Sequence, residues 1–196
     1  MNLDKLLAGG RIPDFLLRKG IRRLIKKRIK KQNKLSVEER FEYLNHFIKE
    51  LKKQPIAVET KAANEQHYEL PPQFFEKILG RNLKYSCCLW PDNLNYKRLK
   101  KQDDLQQRLD QAEDEMLKLT AERAEIENGQ NVLELGCGWG SLSFYLAKEF
   151  PDSRIISVSN SRLQIDYINQ LAAQNRIENL RAVKADINNF TTDARF

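Results

Sequence analysis

From Asn131 to the end of the chain, apolar positions alternate between strand-length runs and helical spacing. "NVLEL", "RIISVS" and "LRAVKA" read as strands, while "SLSFYLAKEF" and "RLQIDYINQLAAQN" carry the three-to-four spacing of amphipathic helices. Strands alternating with helices of about a dozen residues imply right-handed parallel crossover units, with the sheet covered on both faces. Only three strands occur before "DINNFTTDARF", where such a sheet would be expected to continue.

Upstream the pattern is helical. In "RIPDFLLRKGIRRLIKKRIKKQNK" the residues Ile12, Phe15, Leu16, Ile21, Leu24, Ile25 and Ile29 form one stripe, with Gly20 as a candidate interruption. A second helix is predicted from Ser36 to about Lys53. Ser36 with Glu39 makes a capping box there, and Phe41, Leu44, Phe47, Ile48 and Leu51 share a face. "KKQPIAVETKAANEQ" loses this periodicity and reads as a linker. From His67 the chain is dense in aromatics and prolines, with a short helix from Pro72 to Leu79 ended by Gly80. A charged helix follows from about Tyr96 to Ile126, with Leu105, Leu109, Ala112, Met116 and Leu119 as its buried seam. The division expected is a basic helical region over 1–53, a linker over 54–66, a helical covering segment over 67–130, and an α/β domain over 131–196.

Charge refines this picture locally. The 196 residues carry a net +7, but residues 11–34 alone hold eleven Lys/Arg against Asp14, leaving −3 for the remainder. A cationic helix with an apolar stripe suits an anionic membrane surface, or packs its stripe and leaves its lysines in water. No aromatic-interleaved basic platform or helix-turn-helix pattern supports specific nucleic-acid readout. No apolar run reaches about 18 residues and no secretory leader is evident, so a cytoplasmic chain, peripheral on membrane at most, is expected. Cys87, Cys88 and Cys137 have no ligand-like spacing to His46 or His67, so neither a disulfide framework nor a metal site is expected.

The strongest chemical signal is "VLELGCGWGS". A strand, a glycine turn and a helix start form a nucleotide site, but the lysine of a phosphate-binding loop is missing and Ser141 stands where a dinucleotide fold wants its third glycine. Glu134, immediately before the turn, would repel a diphosphate and attract an ammonium or sulfonium group. S-adenosylmethionine carries both cations, and its carboxylate can be received by amides of the turn and helix start. In an open parallel sheet the neighbouring strand ends complete the site. After the second strand stand Ser159, Asn160 and Ser161 rather than an acid, neutral groups that can still bond a ribose diol. After the third, Asp186 could accept from an adenine amino group and Ile187 could pack on its ring; the same residues read equally well as a surface turn.

"HYELPPQFF", "LKYSCCLW", "VLELGCGWGS", "SVSNSRLQ" and "ADINNF", with the basic "PDFLLRKGIRRLIKKR", together resemble the S-adenosylmethionine-dependent methyltransferases of the cyclopropane-fatty-acyl-phospholipid synthase and coclaurine N-methyltransferase-like family. The resemblance implies an α/β, Rossmann-like class I methyltransferase fold. It is incomplete, with the first three parallel strands preceded by an all-helical N-terminal region. It also implies a cofactor site of Tyr85 and Ser86 over the ligand, Glu134, Gly136, Cys137, Gly138 and Gly140 at the turn, Ser159, Asn160 and Gln164 at the ribose, and Asp186 and Ile187 at the adenine. The resemblance reaches only the N-terminal half of such enzymes.

The activity so implied is methyl transfer from S-adenosylmethionine to a lipid alkene or a small-molecule amine, with no catalytic residue identifiable in this half. A small molecule or phospholipid is the expected substrate, and a partner chain is a possible source of the other half. The competing reading is a noncatalytic remnant, or a basic helical module that binds membrane or a partner.

Overall fold

The computed structural model describes residue 9 and residues 12–58, 70–91 and 102–196. Residues 59–66 of the linker expected over 54–66, the start of the aromatic segment over 67–69 and the first part of the charged helix up to 101 lie outside the described residues. Two compact units divide after Pro55.

The first unit contains α1 (Asp14–Asn33) and α2 (Val37–Leu51). α1 runs unbroken through Gly20, because one glycine costs a helix only about 1 kcal/mol relative to alanine. α2 starts on the predicted capping box: the Glu39 amide donates to Ser36 Oγ at 3.1 Å and the Ser36 amide to Glu39 Oε2 at 2.7 Å. Apart from half-buried Ile12, the apolar residues of both stripes, including Phe15, Leu24, Phe41 and Phe47, are exposed.

The second unit contains α3 (Pro72–Ile78), α4 (Gln102–Arg123), β1 (Asn131–Leu135), α5 (Ser141–Glu149), β2 (Arg154–Ser159), α6 (Arg162–Gln174) and β3 (Leu180–Lys184). The three strands form one parallel sheet in the order β1, β2, β3, with Glu134 opposite Ser157 and Ser159 opposite Lys184. Successive side chains point to opposite faces. Ile155, Leu180 and Ala182 meet Leu146 and Ala147 of α5 and Ile165, Ile168 and Ala172 of α6 in the main core. Two right-handed crossovers advancing in the same direction deliver both helices to one face. Cover on both faces is therefore not what the described residues provide. The opposite face presents Ile156 and Val183 with Arg154 and Arg181 to a groove of about 470 Å³ closed by residues 190–196.

Two local expectations change. α4 buries Ala112, Glu113, Leu117 and Ala121, whereas Leu105 is exposed, so the inward face is rotated from the expected seam and includes a carboxylate. Gly80 is not a left-handed helix stop, since α3 ends on an extended Leu79. A Cβ at Gly80 would lie 2.6 Å from the Glu113 carboxyl, so close approach is what requires glycine there.

Candidate functional site

β1 passes into a turn in which Gly136, Gly138 and Gly140 have φ of +84°, +55° and +84°, the left-handed region that favours glycine. The amides of Gly136 and Cys137 donate to the Val158 carbonyl at 2.9 and 3.1 Å, tying the turn to β2. Gly140 opens α5, and a Cβ there would fall 2.8 Å from Ile168 Cγ1. Its glycine allows α6 to approach the turn.

A cavity of about 350 Å³ lies between this turn and residues 83–86, with Leu117 and Thr120 of α4 contributing to its wall. Tyr85, Ser86, Glu134, Gly136, Cys137 and Gly138, six of the expected positions, all line it. The Glu134 carboxylate accepts from Ser143 Oγ at 2.5 Å and Ser157 Oγ at 3.2 Å, both on Oε2, and the two hydroxyls are themselves 2.8 Å apart. Burial pushes the Glu134 carboxyl up to about 7, against the opposing pull of its two hydroxyl donors. Burial, reinforced by the Glu134 charge, pushes the Cys137 thiol up to about 12, so it is no nucleophile at neutral pH. Lys84 brings a cation to the same cavity and donates to Ser86 Oγ at 2.5 Å.

The other expected positions do not line this cavity. Gly140 serves the turn and the helix contact. Ser159, Asn160, Asp186 and Ile187 follow or end β2 and β3 at the same carboxyl edge of the sheet. Ser159 Oγ donates to Gln164 Oε1 at 2.8 Å, and Gln164 Nε2 is buried with no partner among the described residues. Asp186 Oδ1 accepts the Asn188 amide at 2.9 Å, and the Asn188 side chain pairs with the Ala57 backbone in both directions at 3.0 Å.

The family model described as mycolic acid cyclopropane synthetase matches residues 57–193, most of the chain. The chain belongs to the mycolic acid cyclopropane synthetase family. It is 33% identical over 190 residues to (S)-tetrahydroprotoberberine N-methyltransferase of Eschscholzia californica, covering 97% of this chain and 51% of that protein. It is 32% identical over 115 residues to cyclopropane-fatty-acyl-phospholipid synthase of Escherichia coli K12, covering 59% of this chain and 25% of that one. The crystal structure of coclaurine N-methyltransferase bound to N-methylheliamine and SAH superposes with a TM-score of 0.81 at 32% identity, over 97% of this chain and 51% of that one. The chain spans about half the length of the curated relatives it matches most fully.

In this member of the cyclopropane synthetase family, several residues that sequence reasoning missed support the cavity wall from behind. Glu113 of α4 is wholly buried and accepts the amides of Gly80 and Asn82, each at 2.9 Å, while Asp110 takes the Arg81 amide at 2.8 Å and Asp114 pairs with the Arg81 guanidinium. This bracket sets the approach to Lys84, Tyr85 and Ser86. Phe75 of α3 lies tilted by 39° against Trp139 of the glycine turn, with ring centres 4.8 Å apart, and meets Tyr85 edge-on at 5.4 Å. Ser143 within "SLSFYL" and Ser157 within "RIISVS", polar residues inside apolar runs, both donate to Glu134.

Proposed function

We propose that the chain is the cofactor-binding half of an S-adenosylmethionine-dependent methyltransferase acting on a small-molecule amine. The observation that carries this reading is the Glu134 carboxylate in the wall of a cavity bounded by the glycine turn and by Tyr85 and Ser86. An anionic oxygen there favours an ammonium or sulfonium and disfavours a diphosphate. The rest of the donor set fits the same ligand. Gly138 and Trp139 supply turn amides outside the pair bound to Val158, and Lys84 adds a cation for the ligand's carboxylate. Gln164 Nε2 supplies a buried donor for a ribose hydroxyl, with Ser159 fixing its orientation and Asn160 beside it. Asp186 and Ile187 are the adenine-side residues of this reading, the former through the oxygen its Asx turn leaves over.

Bound S-adenosylmethionine would supply a methyl group activated by a sulfonium. The chain's own residues bind and orient it, and methyl transfer asks chiefly for proximity and alignment. An amine acceptor is favoured over a lipid alkene because the amine N-methyltransferases align along 97% of the chain and the phospholipid synthase along 59%. The counterpart of the relatives' second half is not in these residues, so no catalytic base is assigned. A partner chain carrying it would have β1 to pair with, whose outer edge bears no strand among the described residues.

The exposed apolar stripe of α1 among its lysines and arginines supports a second, peripheral role, contact of residues 11–34 with an anionic membrane. No helix among the described residues is long and apolar enough to cross one. Vesicle sedimentation with anionic and with neutral lipid checks that contact, and equal binding to both overturns it.

The cofactor reading is tested by titration calorimetry of the chain with S-adenosylhomocysteine and with NAD, beside Gly136→Val, which forces a branched side chain to φ +84°. Heat with S-adenosylhomocysteine alone, lost in the variant, is the expected result. Heat with NAD, or none with S-adenosylhomocysteine, overturns the proposal.

A further inference from the structure

The hydroxyls of Ser143 and Ser157 and the Glu134 carboxylate form a closed triangle of oxygens, with edges of 2.5, 2.8 and 3.2 Å. Both serines have no exposed surface, and they come from different elements, α5 and β2. A hydroxyl in a helix facing a strand would ordinarily be replaced by an apolar group at no cost, unless a buried polar partner needs it. Here the partner is Glu134, the one carboxylate of the cavity wall among the described residues. Three oxygens with two hydroxyl hydrogens leave one edge of the triangle short of a proton, and a third proton, on the carboxyl, completes the ring. Both protonation states are therefore hydrogen-bonded without moving a heavy atom. Because both serine contacts converge on Oε2, Oε1 is left for a ligand.

The surroundings decide which state prevails. β2 and α5 offer Glu134 hydroxyls and apolar groups, and α4 offers Leu117 and Thr120, while Glu113 of that helix is turned to the loop amides. The titratable groups sharing the cavity are Lys84, Tyr85 and Cys137, and Glu134 keeps its proton to about pH 7 chiefly through burial.

We propose that Ser143 and Ser157 are positioning residues that hold Glu134 ready in either protonation state, so that entry of a cationic ligand converts the triangle to its carboxylate form and expels one proton to solvent. This rests on the cofactor reading above, and deepens it: the ligand selected is one whose ammonium or sulfonium meets Oε1. The proton balance is simple, because the carboxyl O–H bond breaks, its proton leaves to buffer, and the cation replaces it as the neutralising charge.

The experiment is calorimetry of the full chain with S-adenosylhomocysteine, which retains the ammonium, at pH 6 and pH 8 in buffers of different ionisation enthalpy. For a carboxyl that titrates at about 7 when free and stays ionised when bound, affinity rises about ten-fold between the two conditions. Proton release falls from about 0.9 per ligand at pH 6 to about 0.1 at pH 8. These values need no variant. Ser143→Ala and Ser157→Ala each remove a donor to the carboxylate and move the midpoint of the affinity profile upward by about one pH unit, whereas Ser157→Thr keeps the hydroxyl and the parent midpoint. Binding that is the same at pH 6 and pH 8, or alanine variants with the parent midpoint, overturns the positioning role while leaving the cofactor site standing. No binding at either pH removes the cofactor site itself, and the positioning role with it.

Discussion

Glu113 on α4 and Glu134 at the end of β1 are two carboxyls withdrawn from water, and in both cases burial raises the carboxyl above its ordinary range. Their partners differ in kind. Glu113 accepts backbone amides of Gly80 and Asn82, with that of Lys84 also opposing its upward shift. Those donors are fixed by the chain and cannot turn away. Among the described residues Glu134 accepts from hydroxyls alone, which rotate and can themselves accept. A carboxylate held by amides shapes a loop, whereas one held by hydroxyls remains available to a ligand. The first holds the loop that lines the cavity, and the second stands in the cavity wall itself.

The largest effect should come from removing the loop's anchor. Glu113→Ala leaves two amides in the interior without an acceptor, at about 1–3 kcal/mol each, so a loss of roughly 3–5 kcal/mol is expected by urea denaturation. Glu113→Gln keeps one good acceptor and should lose about half as much. A loss below about 1 kcal/mol for the alanine variant would show that water reaches those amides, and the distinction between the two glutamates would fail. Next in size is Gly80→Ala. Its Cβ would stand 2.6 Å from the Glu113 carboxyl, which would have to shift off the Gly80 and Asn82 amides to make room, and about 1–3 kcal/mol of destabilisation is expected in the same assay. No such penalty applies at Gly136 or Gly138, where a Cβ meets nothing within 4 Å and the obstacle is the positive φ alone.

This asymmetry also marks what could be read in the sequence. The three strands, the glycine turn and the capping box at Ser36 were legible because each depends on local pattern: apolar spacing, positive φ, or a side chain reaching three residues along. Of the six expected positions that line the cavity, those of the glycine turn belong to a local motif, whereas Tyr85 and Ser86 followed only from the family resemblance. Glu113 was not legible. It stands in a charged helix among Asp110, Asp114 and Glu115, where nothing local distinguishes the carboxylate that turns inward. Its partner lies 33 residues earlier, across a segment whose path no periodicity records. Ser143 and Ser157 were hidden similarly, because strand pairing sets Ser157 opposite Glu134 and the register appears only when the sheet is assembled.

Glu134→Gln should act with the opposite sign to the Glu113 changes. A carboxyl whose pKa is higher folded than unfolded binds its proton more tightly in the native state, so its contribution is fully present below pH 4.5 and is lost as pH rises to about 7. The rise from 4.5 to about 7 corresponds to about 3 kcal/mol at most. Denaturation at pH 8.5 should therefore find Glu134→Gln about 1–3 kcal/mol more stable than the parent, with the difference vanishing near pH 4.5. In the same variant S-adenosylhomocysteine binding should weaken and lose its pH dependence. A variant less stable than the parent at every pH would mean that the ionised Glu134 is a structural group like Glu113.

The smallest expected effect separates the two carboxyls by the origin of their shifts. Asp110 raises the Glu113 carboxyl by like-charge repulsion, a lesser cause than burial, whereas the causes resolved for Glu134 are burial and its two hydroxyls. Asp110→Asn retains the Oδ1 that accepts the Arg81 amide but removes the charge. Relief of this repulsion should stabilise the chain by a few tenths of a kcal/mol at neutral pH. Salt screens a pair with one buried member only partly, so raising ionic strength from 0.05 to about 0.5 M should reproduce part of that gain in the parent and add little in the variant. The pH dependence attributed to Glu134 should stay put over the same salt range, because desolvation is not screened. A Glu134 transition that moved with salt as readily as that of Glu113 would place an unrecognised charge at the cavity wall, and the division of labour between amide-held and hydroxyl-held carboxylates would have to be redrawn.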